Sequence, residues 1–161
     1  MKKDYIYIDR IPAILFGEAS DELFIYVHGK GSSKEAAEEL AGIVGEYGFQ
    51  TLSFDLPGCG ERGNICSACL PEPCDLDHVV RDLLTVGTRA AENYRKLSLY
   101  AKDHTGFCLE AFRTAPLGEK FERCIFDSPD TAEGLEALGK KVSIGSPDRF
   151  MFDGFVRNSL Q

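Results

Sequence analysis

Short apolar runs that alternate with amphipathic stretches are the feature that most constrains the fold of this chain. Residues Leu23–Val27 read LFIYV, an unbroken run of β-forming residues that is typical of a strand covered on both faces. The next stretch carries apolar residues at helical spacing, namely Ala36, Ala37, Leu40, Ile43, Val44 and Tyr47. Strands that alternate with helices predict an α/β fold, a mostly parallel sheet with helices on both faces.

The rest of the chain extends this pattern. Further strands are predicted at 50–56, 97–101, 122–127 and 141–145. A long helix is predicted from about residue 75, with its buried side formed by Leu76, Val79, Val80, Leu83, Leu84, Val86, Ala90 and Tyr94. Two short segments, Tyr5–Ile8 and Ala13–Phe16, are separated by Pro12 and predict an antiparallel edge. No linker interrupts the pattern, so we expect one domain over residues 1–161.

Three helix starts carry capping signals. Ser32 and Glu35 have the spacing of a capping box, which predicts that a helix begins there. Ser128-Pro129-Asp130 and Ser146-Pro147-Asp148 each combine a capping serine, a proline for the first helical position and an acidic residue. We therefore expect a helix after each of the last two strands, the second with Gly154 inside it.

Charge and composition exclude several functions. The net charge is −8 and no basic run is present, which argues against nucleic acid or an anionic membrane as a partner. No segment approaches the roughly 20 apolar residues of a membrane span, and the N-terminus lacks the apolar run of a signal peptide. The sequence thus predicts a cytoplasmic protein with no membrane partner, whose six cysteines are thiols rather than disulfides.

Ligands of parallel sheets bind at the carboxyl ends of the strands. Three polar turns are predicted to meet there, at His28–Ser33, Asp55–Gly63 and Lys102–Gly106. The candidate site therefore combines residues from these three turns.

Four segments in this order resemble the α/β-hydrolase family: YVHGKGSSKE, FDLPGCGERGN, LSLYAKDHTGF and ERCIFDSPD. The resemblance covers roughly residues 13–130. It implies that the backbone of the His-Gly turn (His28, Gly29, Lys30, Gly31) forms an oxyanion hole or an anion-binding turn. It also implies that Asp55, Cys59, Glu61 and Arg62 lie on a loop that borders the active site.

The third segment departs from the family pattern. The resemblance implies an elbow of the form Gly-x-nucleophile-x-Gly, yet the chain reads Ala101-Lys102-Asp103-His104-Thr105. Aspartate stands where serine is expected, as in the haloalkane dehalogenases and epoxide hydrolases of this family. The histidine that follows the last strand in the family has no counterpart, because the chain holds His28, His78 and His104 and ends first. We therefore expect a fold truncated at its C-terminus and a degenerate elbow without the ordinary triad.

Each candidate residue also has a plainer interpretation. Asp103 and His104 could be a nucleophile and a base, or an aspartate N-cap beside an exposed histidine. The His28–Gly31 turn could bind an anion through its N–H groups, or could simply allow a tight connection. Asp55 and Arg62 could form a structural ion pair.

The cysteines of the long loop raise a separate question. Cys59 could be a reactive thiol if Arg62 lowers its pKa. Cys59, Cys66, Cys69 and Cys74 could together hold zinc, although they contain one close pair and plain thiols are the favoured interpretation. Cys124 and Cys108 are predicted to lie in the core, and no cofactor is expected.

Three functions are compatible with these patterns. The first is a degenerate α/β-hydrolase-like protein that binds a small acyl or anionic ligand at the strand ends. The second is an active, esterase-like hydrolase that uses Asp103 as its nucleophile. The third is a structural or interaction protein with a filled pocket. The apolar segment from Phe150 to Leu160 adds the prediction of a homodimer, because an open sheet edge must be covered or paired.

Overall fold

A computed structural model of the protein describes residues 1–63, 76–103, 119–128 and 141–161. Its strands are β1 (Lys3–Ile8), β2 (Ile11–Phe16), β3 (Glu22–Val27), β4 (Gln50–Phe54), β5 (Lys96–Lys102), β6 (Phe121–Asp127) and β7 (Lys141–Gly145). The described α-helices are α1 (Glu38–Gly45), α2 (Leu76–Asn93) and α3 (Phe152–Ser159).

The strands form one seven-stranded sheet in the order β1-β2-β4-β3-β5-β6-β7. The sheet is parallel from β4 through β3, β5 and β6 to β7, and β2 joins β4 and β1 in antiparallel fashion. This arrangement confirms the predicted fold class, including the antiparallel N-terminal edge.

The sheet is covered on both faces, and β3 shows why. Leu23, Ile25 and Val27 pack into a core that also contains the apolar side of α2. Phe24 and Tyr26 point to the opposite face, where α1 and α3 pack. Because successive side chains of a strand face opposite ways, a strand between two helical layers must be apolar at every position. The unbroken LFIYV run met this requirement.

The N-terminal hairpin is tighter than the sequence indicated. β1 and β2 are joined by a turn of two residues, Asp9 and Arg10, with φ values of 45° and 74°. Pro12 lies within β2, opposite Tyr7, rather than between two segments. It is tolerated near the start of the strand, where its carbonyl oxygen accepts a hydrogen bond from Asp55 N–H at 2.9 Å.

Three predicted boundaries were wrong. β4 ends at Phe54 rather than Leu56, because the N–H of Leu56 bonds to the His28 ring instead of a strand. The capping box at Ser32 is not formed. A 3-10 turn (Lys34–Ala37) with Ser33 at its N-cap position comes first, and α1 begins at Glu38. Ala36 and Tyr47 therefore lie outside α1 and are exposed, whereas the other four residues of the predicted stripe are buried.

The last helix also begins later than predicted. α3 starts at Phe152, and Asp148 rather than Ser146 stabilises the turn before it. The Oδ1 atom of Asp148 accepts hydrogen bonds from the N–H groups of Phe150 and Met151 at 2.9 and 3.0 Å. Val156 is buried against the sheet, while the side chain of Phe150 is 93% exposed. The helix predicted after Ser128-Pro129-Asp130 lies outside the described residues.

Candidate functional site

Asp103 directly follows β5 at its carboxyl end. Its φ is 62°, in the left-handed region, and its N–H donates to the carbonyl oxygen of Asp127 at 3.2 Å. This conformation costs an L-residue about 1–2 kcal/mol, although aspartate tolerates it better than most. A strained turn between a strand and a helix is the setting in which α/β-hydrolases hold their nucleophile. The left-handed φ of Asp103 is compatible with that position, the residues that follow it lie outside the described part of the chain, and the glycines of the family pattern are missing from the sequence.

The carboxylate of Asp103 lies against the His-Gly turn. A Cβ atom placed on Gly29 would come within 2.8 Å of Asp103 Oδ2 and 3.3 Å of the Lys102 side chain. Any residue larger than glycine would therefore require the side chain of Asp103 to shift. Two of the three predicted turns thus meet in space, as expected from the shared edge of the sheet.

His28 connects this turn to the loop after β4. Its ring is fully buried, and its Nε2 atom accepts the N–H of Leu56 at 3.0 Å. An accepting Nε2 leaves the proton on Nδ1, which donates to the carbonyl oxygen of Gly29 at 2.7 Å. Burial lowers the pKa of His28, in keeping with a neutral ring. Both nitrogens are engaged, so His28 holds two turns together and is not free to act as a base.

Within the described part of the chain, the N–H groups of Lys30 and Gly31 donate to no other residue. They are therefore available to a ligand at the turn. The prediction that His28–Gly31 forms an oxyanion hole or an anion-binding turn remains a prediction.

Asp55 is the centre of a buried ion-pair network. Its carboxylate accepts hydrogen bonds from the Lys34 N–H at 2.9 Å, from Lys34 Nζ at 2.8 Å and from the Glu61 N–H at 3.0 Å. Lys34 also pairs with Glu61 at 2.8 Å and Glu35 at 3.2 Å. Burial lowers the pKa of Lys34, but these hydrogen bonds raise it more, so the net shift is upward. Asp55 thus ties the loop after β4 to the start of the helical layer.

The predicted ion pair between Asp55 and Arg62 was wrong. The Arg62 guanidinium donates to the backbone oxygen of Asp55 at 3.0 Å and pairs with the carboxylate of Asp82 on α2. Asp82 is buried, and burial raises its pKa against the opposing effect of Arg62. The carboxylate of Asp55 instead forms an ion pair with Lys34.

Cys59 does not have the surroundings of a reactive thiol. Its side chain is buried and unpaired as a free cysteine, and the guanidinium of Arg62 is already bound by Asp82. Reactive thiols are partly exposed and lie beside a free cation. Cys124 is fully buried, as predicted for a core residue.

A cavity of about 360 Å³ opens beside Asp103, and we call it the elbow cavity. Its lining combines the His-Gly turn with the ends of several strands: Tyr26, Gly29, Lys30, Ser32, Ala36, Glu39, Tyr100, Lys102, Asp103, Asp127, Pro147, Asp148, Arg149 and Phe152. The volume lies within the range of small-molecule sites.

Asp127 is the second carboxylate of this cavity and differs from Asp103 in its surroundings. It is buried, and its Oδ2 accepts the hydroxyl of Tyr100 at 2.6 Å. Burial raises the pKa of Asp127, whereas the Tyr100 hydrogen bond acts in the opposite direction and is outweighed. Tyr26 stacks on Tyr100 at 5.4 Å between ring centroids, and burial raises the pKa of Tyr26 to about 12. The cavity thus has an aromatic wall that fixes one carboxylate.

Sequence reasoning missed Asp127 and Asp148 as lining residues. Asp127 is the last residue of β6 and Asp148 comes three residues after the end of β7, so the rule that ligands bind at strand carboxyl ends could have identified them. The two Ser-Pro-Asp triplets were instead assigned entirely to helix starts. Lys34 gave no signal, since lysine at the start of a helix is ordinarily exposed.

Several predicted residues lie outside the described part of the chain. They are His104, Cys66, Cys69, Cys74 and Cys108, so a zinc site formed by the loop cysteines stays a prediction. Among the described residues, no group of three or more His, Cys, Asp or Glu side chains is arranged to hold a metal ion. None of the helices in the described ranges is long and apolar enough to cross a membrane.

Solved structures of hydrolases resemble this fold. Dienelactone hydrolase from Anabaena variabilis has a TM-score of 0.69 at 16% identity, over 99% of this chain and 80% of that one. A cold-adapted esterase from an Arctic intertidal metagenomic library has a TM-score of 0.63 at 17% identity, over 88% of this chain and 69% of that one. Epoxide hydrolase A from Mycobacterium thermoresistibile has a TM-score of 0.56 at 13% identity, over 78% of this chain and 38% of that one.

These likenesses show that the chain has the α/β-hydrolase fold, as the sequence resemblance implied. No protein-family model and no curated protein sequence matches the chain. Identities this low establish the fold and leave the activity to the site itself.

Proposed function

We propose that this protein binds a small acyl compound in the elbow cavity and lacks the ordinary hydrolytic triad. One observation carries the proposal: Asp103 stands in the left-handed elbow conformation and faces Gly29, where the resemblance implies a serine. No described histidine lines the elbow cavity. The geometry therefore supports a site that presents a ligand to a carboxylate, without a described base of the usual kind.

The position of Asp103 favours a neutral acyl group over an anion. The cavity lining has charged residues of both signs, four acidic and three basic: Glu39, Asp103, Asp127, Asp148, Lys30, Lys102 and Arg149. Among them, the Asp103 carboxylate lies close to the turn that would receive an anion. An anionic ligand at that turn would meet a like charge at short range, which is unfavourable in a partly buried site. An amide or ester carbonyl would instead accept a hydrogen bond from the N–H group of Lys30, a residue that lines the cavity.

A second candidate function is hydrolysis with Asp103 as nucleophile. The left-handed φ of Asp103 supports it, because backbone strain of this kind concentrates at functional sites. The Asp103 carboxylate would attack a substrate carbon, displace the leaving group and form an enzyme ester. Water would then hydrolyse the ester and give its proton to a base. Asp127, whose pKa is raised by burial, is the described candidate for that base, and His104 is the candidate from the sequence.

The experiment that separates these functions compares the parent protein with Asp103→Asn on short-chain aryl esters and thioesters. Asp21→Asn is the matched control, since Asp21 is an exposed carboxylate paired with Arg95 away from the elbow cavity. Turnover that is lost in Asp103→Asn and kept in Asp21→Asn would establish the second function. Equal background rates in all three proteins would leave binding as the function.

Binding itself is tested with a pair of small probes, butyramide and butyrate, by NMR titration. We expect the neutral amide to bind more tightly to the parent protein and Asp103→Asn to improve butyrate binding. Stronger binding of butyrate to the parent protein would contradict the proposed ligand class.

The cavity of about 360 Å³ argues against the third hypothesis, a structural protein with a filled pocket. The cytoplasmic location and the homodimer stay predictions from the sequence. For the homodimer, light scattering of the parent protein gives the test, and a monomer at all concentrations would contradict it.

A further inference from the structure

A second cavity lies at the N-terminal hairpin, on the other side of β4 from the elbow. It has a volume of about 580 Å³, and we call it the hairpin cavity. Tyr7, Arg10, Pro12, Arg62, Arg81 and Asp82 are among its lining residues, contributed by the hairpin, the loop after β4 and α2. It shares no lining residue with the elbow cavity, so a ligand bound there would be independent of the proposed function.

The carboxylates that line the hairpin cavity are all engaged. Asp9 pairs with Arg89 at 3.0 Å, and Glu61 pairs with Lys34 at 2.8 Å while accepting the Tyr7 hydroxyl at 3.0 Å. Asp82 pairs with Arg62. Each of these carboxylates therefore has a basic partner, although Glu61 shares Lys34 with Glu35 and Asp55.

Two arginines of the same cavity are not compensated. Within the described part of the chain, the guanidinium groups of Arg10 and Arg81 make neither an ion pair nor a hydrogen bond. Both residues are exposed, so both can reach a ligand in the cavity. Asp9, Glu61 and Asp82 balance the three arginines of the lining in formal charge, and Arg10 and Arg81 are the two of these arginines whose guanidinium groups have no ion-pair partner among the described residues.

Arg10 is moreover held in an unfavourable backbone conformation. It is the second residue of a two-residue hairpin turn with positive φ at both positions, where glycine is strongly preferred. Arginine at this place costs stability that glycine would spare, and such strain concentrates at functional sites. The turn alone gives no reason for an arginine at this position.

We propose that the hairpin cavity binds a small organic anion with a phosphate or carboxylate group, held by Arg10 and Arg81. The guanidinium fork matches both groups through paired, charge-assisted hydrogen bonds. Ile11 and Pro12 offer an apolar surface for the organic part.

The test is an NMR titration of the full chain with phenyl phosphate, benzoate and phenol as probes. We expect one or both anions to bind with a dissociation constant on the order of 1 mM or below, and phenol to bind more weakly. The phosphate and carboxylate arms identify the anion class. Equal binding of phenol, or no binding of either anion, would overturn the proposal.

Variants assign the binding to the two arginines. Arg10→Ala and Arg81→Ala should each weaken anion binding about tenfold, the loss expected for one charge-assisted contact. Arg95→Ala is the matched control, because Arg95 is an exposed arginine paired with Asp21 outside this cavity, and it should bind as the parent does.

Arg10→Gly separates binding from folding. It should lose affinity as Arg10→Ala does, while the midpoint of urea unfolding rises because the turn is relieved of strain. Unchanged affinity in Arg10→Gly would show that the guanidinium does not bind the anion and would overturn the proposal.

Discussion

Lys34 illustrates how a charged side chain is accommodated inside this protein. Its side chain is 2% exposed and contacts the carboxylates of Glu35, Asp55 and Glu61. Removal of one partner from a buried ion pair leaves an uncompensated charge, which is far more destabilising than the loss of a surface pair. The stability of the loop after β4 therefore depends on a residue that is ordinarily found on surfaces.

Lys34→Met should lower the free energy of unfolding by about 3–5 kcal/mol, because Asp55 would remain buried without its cation. Lys96→Met is the control, since Lys96 is partly exposed and its contacts with Glu22 and Glu122 are 3.7 and 3.6 Å long. It should change stability by less than about 1 kcal/mol. Urea unfolding of both variants gives the comparison, and equal losses would refute the role assigned to Lys34.

Gly60 is required for the same network. Its φ is 53°, and a Cβ atom on it would collide with the carboxylate of Asp55. Gly60→Ala should therefore lower the free energy of unfolding by about 2 kcal/mol or more.

Gly42→Ala provides the control for this change. Gly42 lies in α1 with open space where a Cβ would stand, so alanine should raise stability by about 0.5–1 kcal/mol. Chemical denaturation measures both variants. A neutral Gly60→Ala would show that the Asp55 carboxylate is not confined as the structure has it.

At the scale of the element, α3 depends on a turn that comes before it. Asp148 accepts two backbone N–H groups there, whereas Ser146 accepts none from the described residues. Side-chain acceptors at a helix start typically contribute about 1 kcal/mol, because they satisfy N–H groups that the helix leaves open.

Asp148→Ala should consequently lower the free energy of unfolding by about 1 kcal/mol, and Ser146→Ala should leave it unchanged within about 0.5 kcal/mol. Thermal unfolding followed by circular dichroism is sufficient for this comparison. The reverse order of effects would restore the helix start that the Ser-Pro-Asp triplet predicts.

At the scale of the whole molecule, His28 holds together the His-Gly turn and the loop after β4, which both contribute to the candidate site. It is buried and neutral, with a pKa below its usual value of about 6.5. Since the unfolded chain binds a proton near that value and the folded chain does not, stability is full above about pH 6.5 and falls as the pH decreases below it. The decline is limited to about 1.4 kcal/mol per pH unit for one group.

We expect the parent protein to lose unfolding free energy from about pH 7.5 to about pH 5.5, and His28→Asn to lose less over the same interval. Asp82 and Asp127, whose pKa values are raised by burial, act in the opposite direction in both proteins, so the comparison isolates His28. Urea titrations across this interval measure the effect. Parallel pH profiles would show that His28 is not the group responsible.

The sequence by itself determined the layers and the placement of the turns. The LFIYV run required a strand between two covers, and Asp103 follows β5 as the motif order implied. These features are local, because residue spacing along the chain reports which face of an element is buried. The tertiary structure alone decided that Lys34, and not Arg62, neutralises Asp55.

It also decided that Asp127 and Asp148 line the same cavity as Asp103, and that Arg10 and Arg81 both line another cavity. The physical reason is the same for each: these groups lie far apart in sequence. Their partners are fixed by how the elements pack, and no periodicity along the chain records that.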